Sequence, residues 1–312
     1  MAKRIRAKSK TGRIAQVAVL LVLVLLTVLI TYAPKLGLPS WGDLFRDSGI
    51  NSAVNAEEYP FSVHYIDVGQ ADCSLLICGD DTVLIDAGDV DGYDAIHTYL
   101  QSQNVKEIDY FILTHAHADH IGSAVKILEN YTVHNVIMPK YSEANMPTSK
   151  IYEDLLYALS DSEAKVIAAK PGNSYTLSAC SFTVLAPNKD YENVNNSSVV
   201  VRFVYGDTAF LFQGDAEKES EQDILDAGFP LQVDVIKLGH HGSKTSSSAG
   251  YLTAVKPQLA IISCGENNAY NHPSETILKR LDDFGIDYRR TDRNGNIVVT
   301  SDGKSISVET EN

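Results

Sequence analysis

The sequence predicts an α+β domain, two β-sheets packed together with helices outside, preceded by one transmembrane helix. Three observations predict it. Strand-like runs come in clusters separated by single helix-like stretches, and that style fills two successive halves of the chain, as two stacked sheets require. Several of those runs end on Asp or His, so chemistry-bearing residues collect at strand ends. Six cations, Lys3, Arg4, Arg6, Lys8, Lys10 and Arg13, precede an uncharged apolar run over residues 14–32.

At about 1.5 Å per residue, residues 14–32 are long enough to span a bilayer core of about 30 Å. No small-residue cleavage site follows closely, since Val54-Asn55-Ala56 lies too far downstream. The run therefore reads as an uncleaved signal anchor, with residues 1–13 cytoplasmic and the rest outside. Residues 33–58 hold Pro34, Pro39 and several Gly and Ser, and read as a linker with a short amphipathic piece near residues 41–45. Residues 59–312 then form the domain, long enough to bury a sizeable core.

In that domain residues 61–68 alternate, residues 73–78 and 82–85 are strand-like about a turn at Asp80 and Asp81, and Asp86-Ala87-Gly88 ends the third run. A helix is predicted over 93–103, then a buried strand over 109–114 and a helix over 121–128. Strands at 133–138, 165–168 and 181–186 flank a helix over 151–159. The second half opens on a hairpin, 198–205 and 208–212, that turns at Gly206-Asp207 and stops at Gln213-Gly214-Asp215. A helix over 217–227, a strand over 233–238, a Ser/Thr-rich loop, a strand over 259–263, a helix over 274–284 and strands at 296–300 and 305–308 complete it.

The chain carries 26 Lys and Arg against 40 Asp and Glu; without the six cations before residue 14, 20 face 40, a formal net charge of −20. Such a field argues against non-specific binding of long DNA, which draws on clustered Lys and Arg, although bound divalent cations offset it locally. Cys73, Cys78, Cys180 and Cys264 lack the spacing of a zinc knuckle and sit in apolar runs, so they read as buried free thiols.

The densest chemistry lies at a strand-to-helix loop, where His115, His117, Asp119 and His120 fall within six positions. Neutral imidazoles and carboxylates suit zinc and similar divalent ions. Alternate residues of an extended segment point the same way, so His115 and His117 share one ion while Asp119 and His120, beyond the turn, reach a second. Asp67, Asp86, Asp215, His240 and His241 stand at other strand ends, as a site along one edge of stacked sheets needs. Asp215 is placed to bridge two ions, one through each oxygen.

The His-x-His-x-Asp-His run of residues 115–120, with Leu84-Ile85-Asp86-Ala87-Gly88 upstream and Gln213-Gly214-Asp215 downstream, resembles the metallo-β-lactamase superfamily. That resemblance implies a four-layer αββα sandwich with a one- or two-metal site. Residues 66–72, 195–198, 238–246 and 271–273, and Arg290-Thr291-Asp292 with Gly295, are similar more specifically to the soluble hydrolase domain of ComEC-type competence proteins. It covers about residues 60–308 and implies hydrolysis by a metal-bound hydroxide, with one or two divalent ions, zinc or manganese. It further implies that Asp119, His120 and one of His240 or His241 hold the second ion, with Asp215 bridging and Asp86 supporting the ligand loop. Because Gly239 follows the strand directly, His240 is preferred. Many members carry a third histidine between the first cluster and the bridging aspartate. The only histidine in that interval here, His134, is too close and lies in a strand-like run, which leaves the first ion with His115, His117, Asp215 and water, near Asn195, Asn196 or Ser198.

Residues 242–248, with Ser243 and Lys244, offer donors and a cation that suit a phosphate better than a neutral lactam. His272, before Pro273, is placed to protonate a leaving oxygen, and Asp67, Gln70 and Asp72 to line the pocket. His64, His97 and His134 read as scaffold. The resulting expectation is a membrane-anchored extracytoplasmic phosphodiesterase or nuclease for a phosphate-containing substrate, DNA or nucleotides. A lactonase or β-lactamase-type hydrolase of the same superfamily, and a tethered binding protein that keeps its metals, are the alternatives.

Overall fold

The computed structural model describes residues 60–312. The expected anchor over 14–32 and linker over 33–58 lie outside the described residues, and among those described no helix is long and apolar enough to cross a membrane.

The first sheet begins with three antiparallel strands, β1 (Phe61–Tyr65), β2 (Ser74–Cys78) and β3 (Asp81–Ile85). Parallel strands β4 (Glu107–Ile112), β5 (Thr132–Met138) and β6 (Lys165–Ala168) extend it. The helices Tyr93–Ser102, Ala124–Asn130 and Lys150–Asp161 form the crossovers that such parallel neighbours need. β7 (Ser174–Thr176), β8 (Ser181–Ala186), β9 (Val200–Tyr205), β10 (Thr208–Phe212), β11 (Val235–Lys237), β12 (Leu259–Ile262) and β13 (Asp287–Arg290) build a second sheet of seven strands in reverse order, β13 to β7. β14 (Ile297–Ser301) and β15 (Ile306–Thr310) return to the first sheet beside β1, giving the eight-stranded order β15-β14-β1-β2-β3-β4-β5-β6.

Three apolar layers hold these elements. Phe61, Val63, Tyr65, Phe182, Phe203 and Phe212 fill the space between the sheets. Leu75, Leu84 and Phe111 face outward from the first sheet onto Ile96, Ile127 and Leu155 of its helices. Leu211, Ile236 and Ile262 do the same from the second sheet onto Ile224, Leu252 and Ile277. Helix, sheet, sheet and helix thus form the four expected layers. Each fully buried large side chain contributes about 1.5–3 kcal/mol of transfer free energy. Because both faces of β1 are covered, its alternating polar residues are buried too: His64 Nδ1 lies 2.9 Å from the Tyr99 hydroxyl and its Nε2 2.8 Å from Ser62 Oγ.

Several expectations need correction. The helix expected over 121–128 is two, Ala118–Ile121 and Ala124–Asn130, with Gly122 between them. A Cβ on Gly122 would stand 2.4 Å from the backbone of Asp89 and Val90, so only glycine permits that approach. The Ser/Thr-rich loop runs into an unforeseen helix, Ala249–Val255, and the short edge strands β7 and β13 were not foreseen because their sequences carry no apolar alternation. Cys78 and Cys180, expected as free thiols, form a disulfide between the two sheets. They lie 102 residues apart, and only the stacking of the sheets brings their Cα atoms to 6.1 Å. Cys73 and Cys264 are free and buried.

Candidate active site

Parallel pairing decides where the site lies. β3 runs parallel to β4, and β10 to β11, so their C-terminal ends fall on one edge of the sandwich and deliver Asp86, His115, Asp215 and the His240–His241 pair to the same place. The backbone bond from Val199 N to Thr114 O, 2.9 Å, ties the sheets together there. Gly214 (φ +53°) makes the turn that buries Asp215, and a Cβ on it would stand 2.9 Å from Thr114 Cβ and 3.0 Å from Ser198 Oγ. The Asp215 amide donates to that Ser198 hydroxyl at 3.0 Å.

Asp215 divides the histidines by its two oxygens. Oδ2 faces His115 Nε2 at 3.8 Å and His240 Nε2 at 3.6 Å, and His117 Nδ1 lies 3.0 Å from the same His115 nitrogen. Oδ1 faces His120 Nε2 at 3.2 Å and His241 Nε2 at 3.9 Å, and the latter lies 3.3 Å from Asp119 Oδ2. The expectation that only one of His240 and His241 joins the cluster, His240 for preference, is therefore corrected. Both do, at different oxygens, because both occupy left-handed backbone (φ 51° and 52°) that turns successive side chains inward. His240 also occupies the side on which a third histidine was missing from the sequence interval before Asp215.

Four of these five histidines, all but His117, spend their outer nitrogen on the scaffold. With the proton on Nδ1, His120 donates to Asp86 at 2.8 Å, His241 to the Ser263 carbonyl at 3.0 Å, and His240 to Glu217 at 3.2 Å; His115 Nδ1 lies 3.2 Å from Thr114 Oγ1. That tautomer aims every Nε2 lone pair at Asp215, the arrangement in which outer partners fix metal-binding histidines. His120 Nε2, His241 Nε2 and Asp215 Oδ1 are buried and meet carboxylate or imidazole atoms at 3.2 to 3.9 Å without forming a well-directed hydrogen bond. Each such atom costs about 1–3 kcal/mol if nothing satisfies it. Ligand atoms of His115, His120 and Asp215 lie within 4.8 Å of one another, as do those of Asp119, His120 and His241, so each of these sets, with His120 common to both, fits a divalent cation.

The electrostatics split the histidines, leaving two of them neutral with a free lone pair and two of them protonated. Burial drives the His115 imidazole well below its ordinary pKa, and burial lowers His117 as well. Burial acts the same way on His120, but Asp215 and Asp86 outweigh it and hold that group well above its ordinary value. At His241 burial is again overcome, by Asp215 and Asp72, and the pKa rises to about 10. Burial opposes ionisation of Asp215 and Asp119, yet His120 and His241 keep Asp215 far below the carboxylate range and Asp119 at about 2. Protons sit in this cluster where positive charge is wanted, and a bound cation would displace them.

Other expected residues are sorted by the fold. Asp86 is 1% exposed and accepts from Thr114 N, Thr114 Oγ1 and His120, so it supports the loop and does not reach Asp215. Asp67, expected in the pocket, is exposed and accepts from Gly69 N in a turn. Asn195 and Asn196 do not face the histidines: Asn195 Nδ2 donates to Glu217, and Asn196 Oδ1 accepts from Glu217 N and Ser220 N at the start of the Lys218–Ala227 helix. The hydroxyls and amides of residues 246–248 are not free for a phosphate either. Ser246 Oγ donates to Ala216 O, and the amides of Ser247 and Ser248 donate to buried Glu221. Ser243 bonds Thr245, which leaves exposed Lys244 as the outward cation of that loop. His272, expected as a proton donor, lines the cavity beside the cluster, and burial, then His240 and His241, lower its pKa to about 4. His134 pairs with Glu107 at the surface, away from the cluster.

Sequence reasoning missed Lys237 and Glu217. Lys237 is 2% exposed and donates to Asp72 Oδ2 at 2.7 Å, while Asp72 Oδ1 lies 3.4 Å from His241 Nδ1. The available signal was a lysine inside the apolar run Val235-Ile236-Lys237-Leu238, since a buried ammonium requires a partner. The cluster residues His117, Asp119, Asp215, His240 and His241, with Gln70, Tyr270 and His272, line a cavity of about 350 Å³. A second, of about 680 Å³, shares Tyr270 and His272 and adds Ser243, Lys244, Asn267 and Asn271.

Residues 66–266 match the model of the metallo-beta-lactamase superfamily. The chain belongs to that superfamily. It is similar to ComE operon protein 3 of Bacillus subtilis (strain 168), 32% identical over 254 residues that make up 75% of this chain and 32% of that protein. It is also similar to competence protein ComA of Neisseria gonorrhoeae, 30% identical over 284 residues, 88% of this chain and 38% of the relative. The chain thus spans about a third of the length of these curated relatives. Among solved structures, CmlA, a diiron beta-hydroxylase from Streptomyces venezuelae, shares the fold at 15% identity and TM-score 0.51, over 74% of this chain and 53% of that one. The metallo-beta-lactamase fold protein YhfI from Bacillus subtilis does so at 14% identity and TM-score 0.50, over 74% and 96%.

Proposed function

We propose that the chain is a metal-dependent phosphodiesterase. The observation that carries this reading is that the histidine and carboxylate cluster opens on cavities lined by the hydrogen-bonding side chains of Asn267, Asn271 and His272, with Lys244 facing Glu275 across a lining where Arg290 pairs with Asp292, and these suit a phosphodiester better than a neutral lactam or lactone. Competence proteins among the relatives agree with a nucleic-acid role.

In this reading His115, His117, His240 and Asp215 would hold one divalent ion, and Asp119, His120 and His241, with Asp215, would hold the other. Zinc suits these donors, and manganese is an alternative. The chemistry such ions supply when bound is polarisation of a phosphoryl oxygen and a water pKa brought toward neutrality. The protein's own residues do the rest. Asp86, Glu217 and Ser263 fix the imidazole tautomers, Lys237 and Asp72 hold His241, and Lys244 attracts the anionic substrate into the outer cavity. Neutral His272 orients a substrate oxygen by hydrogen bonding. The basic residues before residue 14 and the apolar run behind them support a membrane-anchored, extracytoplasmic placement.

The test is turnover of bis(p-nitrophenyl) phosphate by the zinc- or manganese-loaded chain. Asp215→Ala and His117→Ala should each lower kcat/KM at least about a hundredfold, as loss of a ligand exceeds the cost of losing an outer partner. Full activity in both variants would reject the metal mechanism.

A further inference from the structure

We propose that residues 265–273 form a nucleobase platform beside the cluster, with Tyr270 as its stacking face, so that the phosphodiester bound there carries a base. This rests on the phosphodiesterase reading and adds the substrate class to it. Tyr270 is 69% exposed, an unusual place for a large aromatic ring at the edge of a polar cavity. Its ring is nevertheless positioned. It stacks on His272 with centroids 5.8 Å apart and planes 24° apart, and His272 stacks in turn on His241 at 6.4 Å and 19°. A series of near-parallel rings therefore leads from solvent to the cluster.

The platform is built before any ligand arrives. Asn268 Nδ2 donates to the carbonyls of Gly265 and His272 at 2.9 and 2.6 Å, its Oδ1 accepts from His272 N at 3.0 Å, and Gly265 N donates to Gln70 Oε1 at 3.0 Å. A loop pinned in this way binds with little ordering cost. Tyr270 and His272 line both cavities, so a base lying on the outer ring leaves its phosphate on the side of the histidines. The exposed side chains of Asn267 and Asn271 present amide donors and acceptors in the larger cavity, the chemistry that pairs with base edges, and Lys244 adds one cation for a neighbouring phosphate.

Every base has a face that stacks on an aromatic ring, so the platform takes a base of any identity once that base is free of its own stack.

The experiment measures binding of a phosphorothioate-linked oligothymidylate, and of the same oligomer with abasic sugars, to the zinc-loaded full chain. The native chain should bind the oligothymidylate about tenfold to a hundredfold more tightly than the abasic oligomer. Tyr270→Ala should make the two affinities equal, whereas Tyr270→Trp should keep the preference. Equal affinities in the native chain, or a preference that survives Tyr270→Ala, would overturn the platform. Base-dependent binding without turnover of bis(p-nitrophenyl) phosphate would reject hydrolysis and leave the platform standing; turnover with equal binding would do the reverse.

Discussion

Replacing Asp86 by Asn tests whether Asp215 divides the site into two halves. Asp86 Oδ2 accepts from His120 Nδ1 and from Thr114 Oγ1, each at 2.8 Å, while its Oδ1 accepts from Thr114 N at 2.8 Å. An asparagine keeps one acceptor and turns the other into a donor, which then faces either the His120 N–H or the Thr114 N–H. Loss of such an outer partner costs about 10–100-fold in metal affinity, roughly 1.4–2.7 kcal/mol. Of the histidines around Asp215, Asp86 touches His120 alone, so the loss should fall on the ion shared by Asp119, His120 and His241. Glu217→Gln is the complementary change, because Glu217 Oε1 lies 3.2 Å from His240 Nδ1 on the other side. Glu217 is partly exposed, and its effect should stay near the lower end, about tenfold. The assay is a competition titration against a chromophoric zinc chelator that resolves two binding steps. Each variant should weaken a different step and leave the other within about threefold. If both weaken the same step, if Asp86→Asn weakens both equally, or if the native chain shows one step, the division by Asp215 is wrong.

Three further outcomes follow from particular contacts. Gly214→Ala places a methyl group 2.9 Å from Thr114 Cβ at φ +53° and should destabilise the domain by about 2–4 kcal/mol in denaturant unfolding; an unchanged midpoint would contradict the close packing. Glu221→Ala strands the amides of Ser247 and Ser248 and the Gln213 amide in a buried site, with an expected loss of about 2–4 kcal/mol, and a neutral result would show that water replaces the carboxylate. His64 is fully buried, and burial lowers its pKa from 6.5 to about 3. Below pH 6.5 the unfolded chain therefore binds a proton that the folded chain refuses, so stability falls as pH drops from 6.5 toward 3, by up to about 1.4 kcal/mol per unit, and is unaffected above 6.5. His64→Gln should remove that slope between pH 6.5 and 5; an unaltered slope would assign the acid sensitivity to other groups.

The strands with apolar alternation and the helices with regular spacing were legible because burial demands those patterns: β1, β10 and the Glu275–Phe284 helix fall within a residue or a few of their expected positions. So were the ligand-type residues at strand ends, because four of them within six positions serve little else. Polar edge strands such as β7 carry no such demand and were silent. The sequence by itself therefore determined the layered fold, the family and the gathering of ligand-type residues at strand ends. Only the tertiary structure decided that His240 and His241 serve opposite oxygens of Asp215, that Ser246 to Ser248 turn inward to Ala216 and Glu221, and that Cys78 meets Cys180. These depend on backbone handedness and on contacts across 25 to 102 residues, and a one-dimensional pattern does not encode which side chains a stacked pair of sheets will bring within 4 Å.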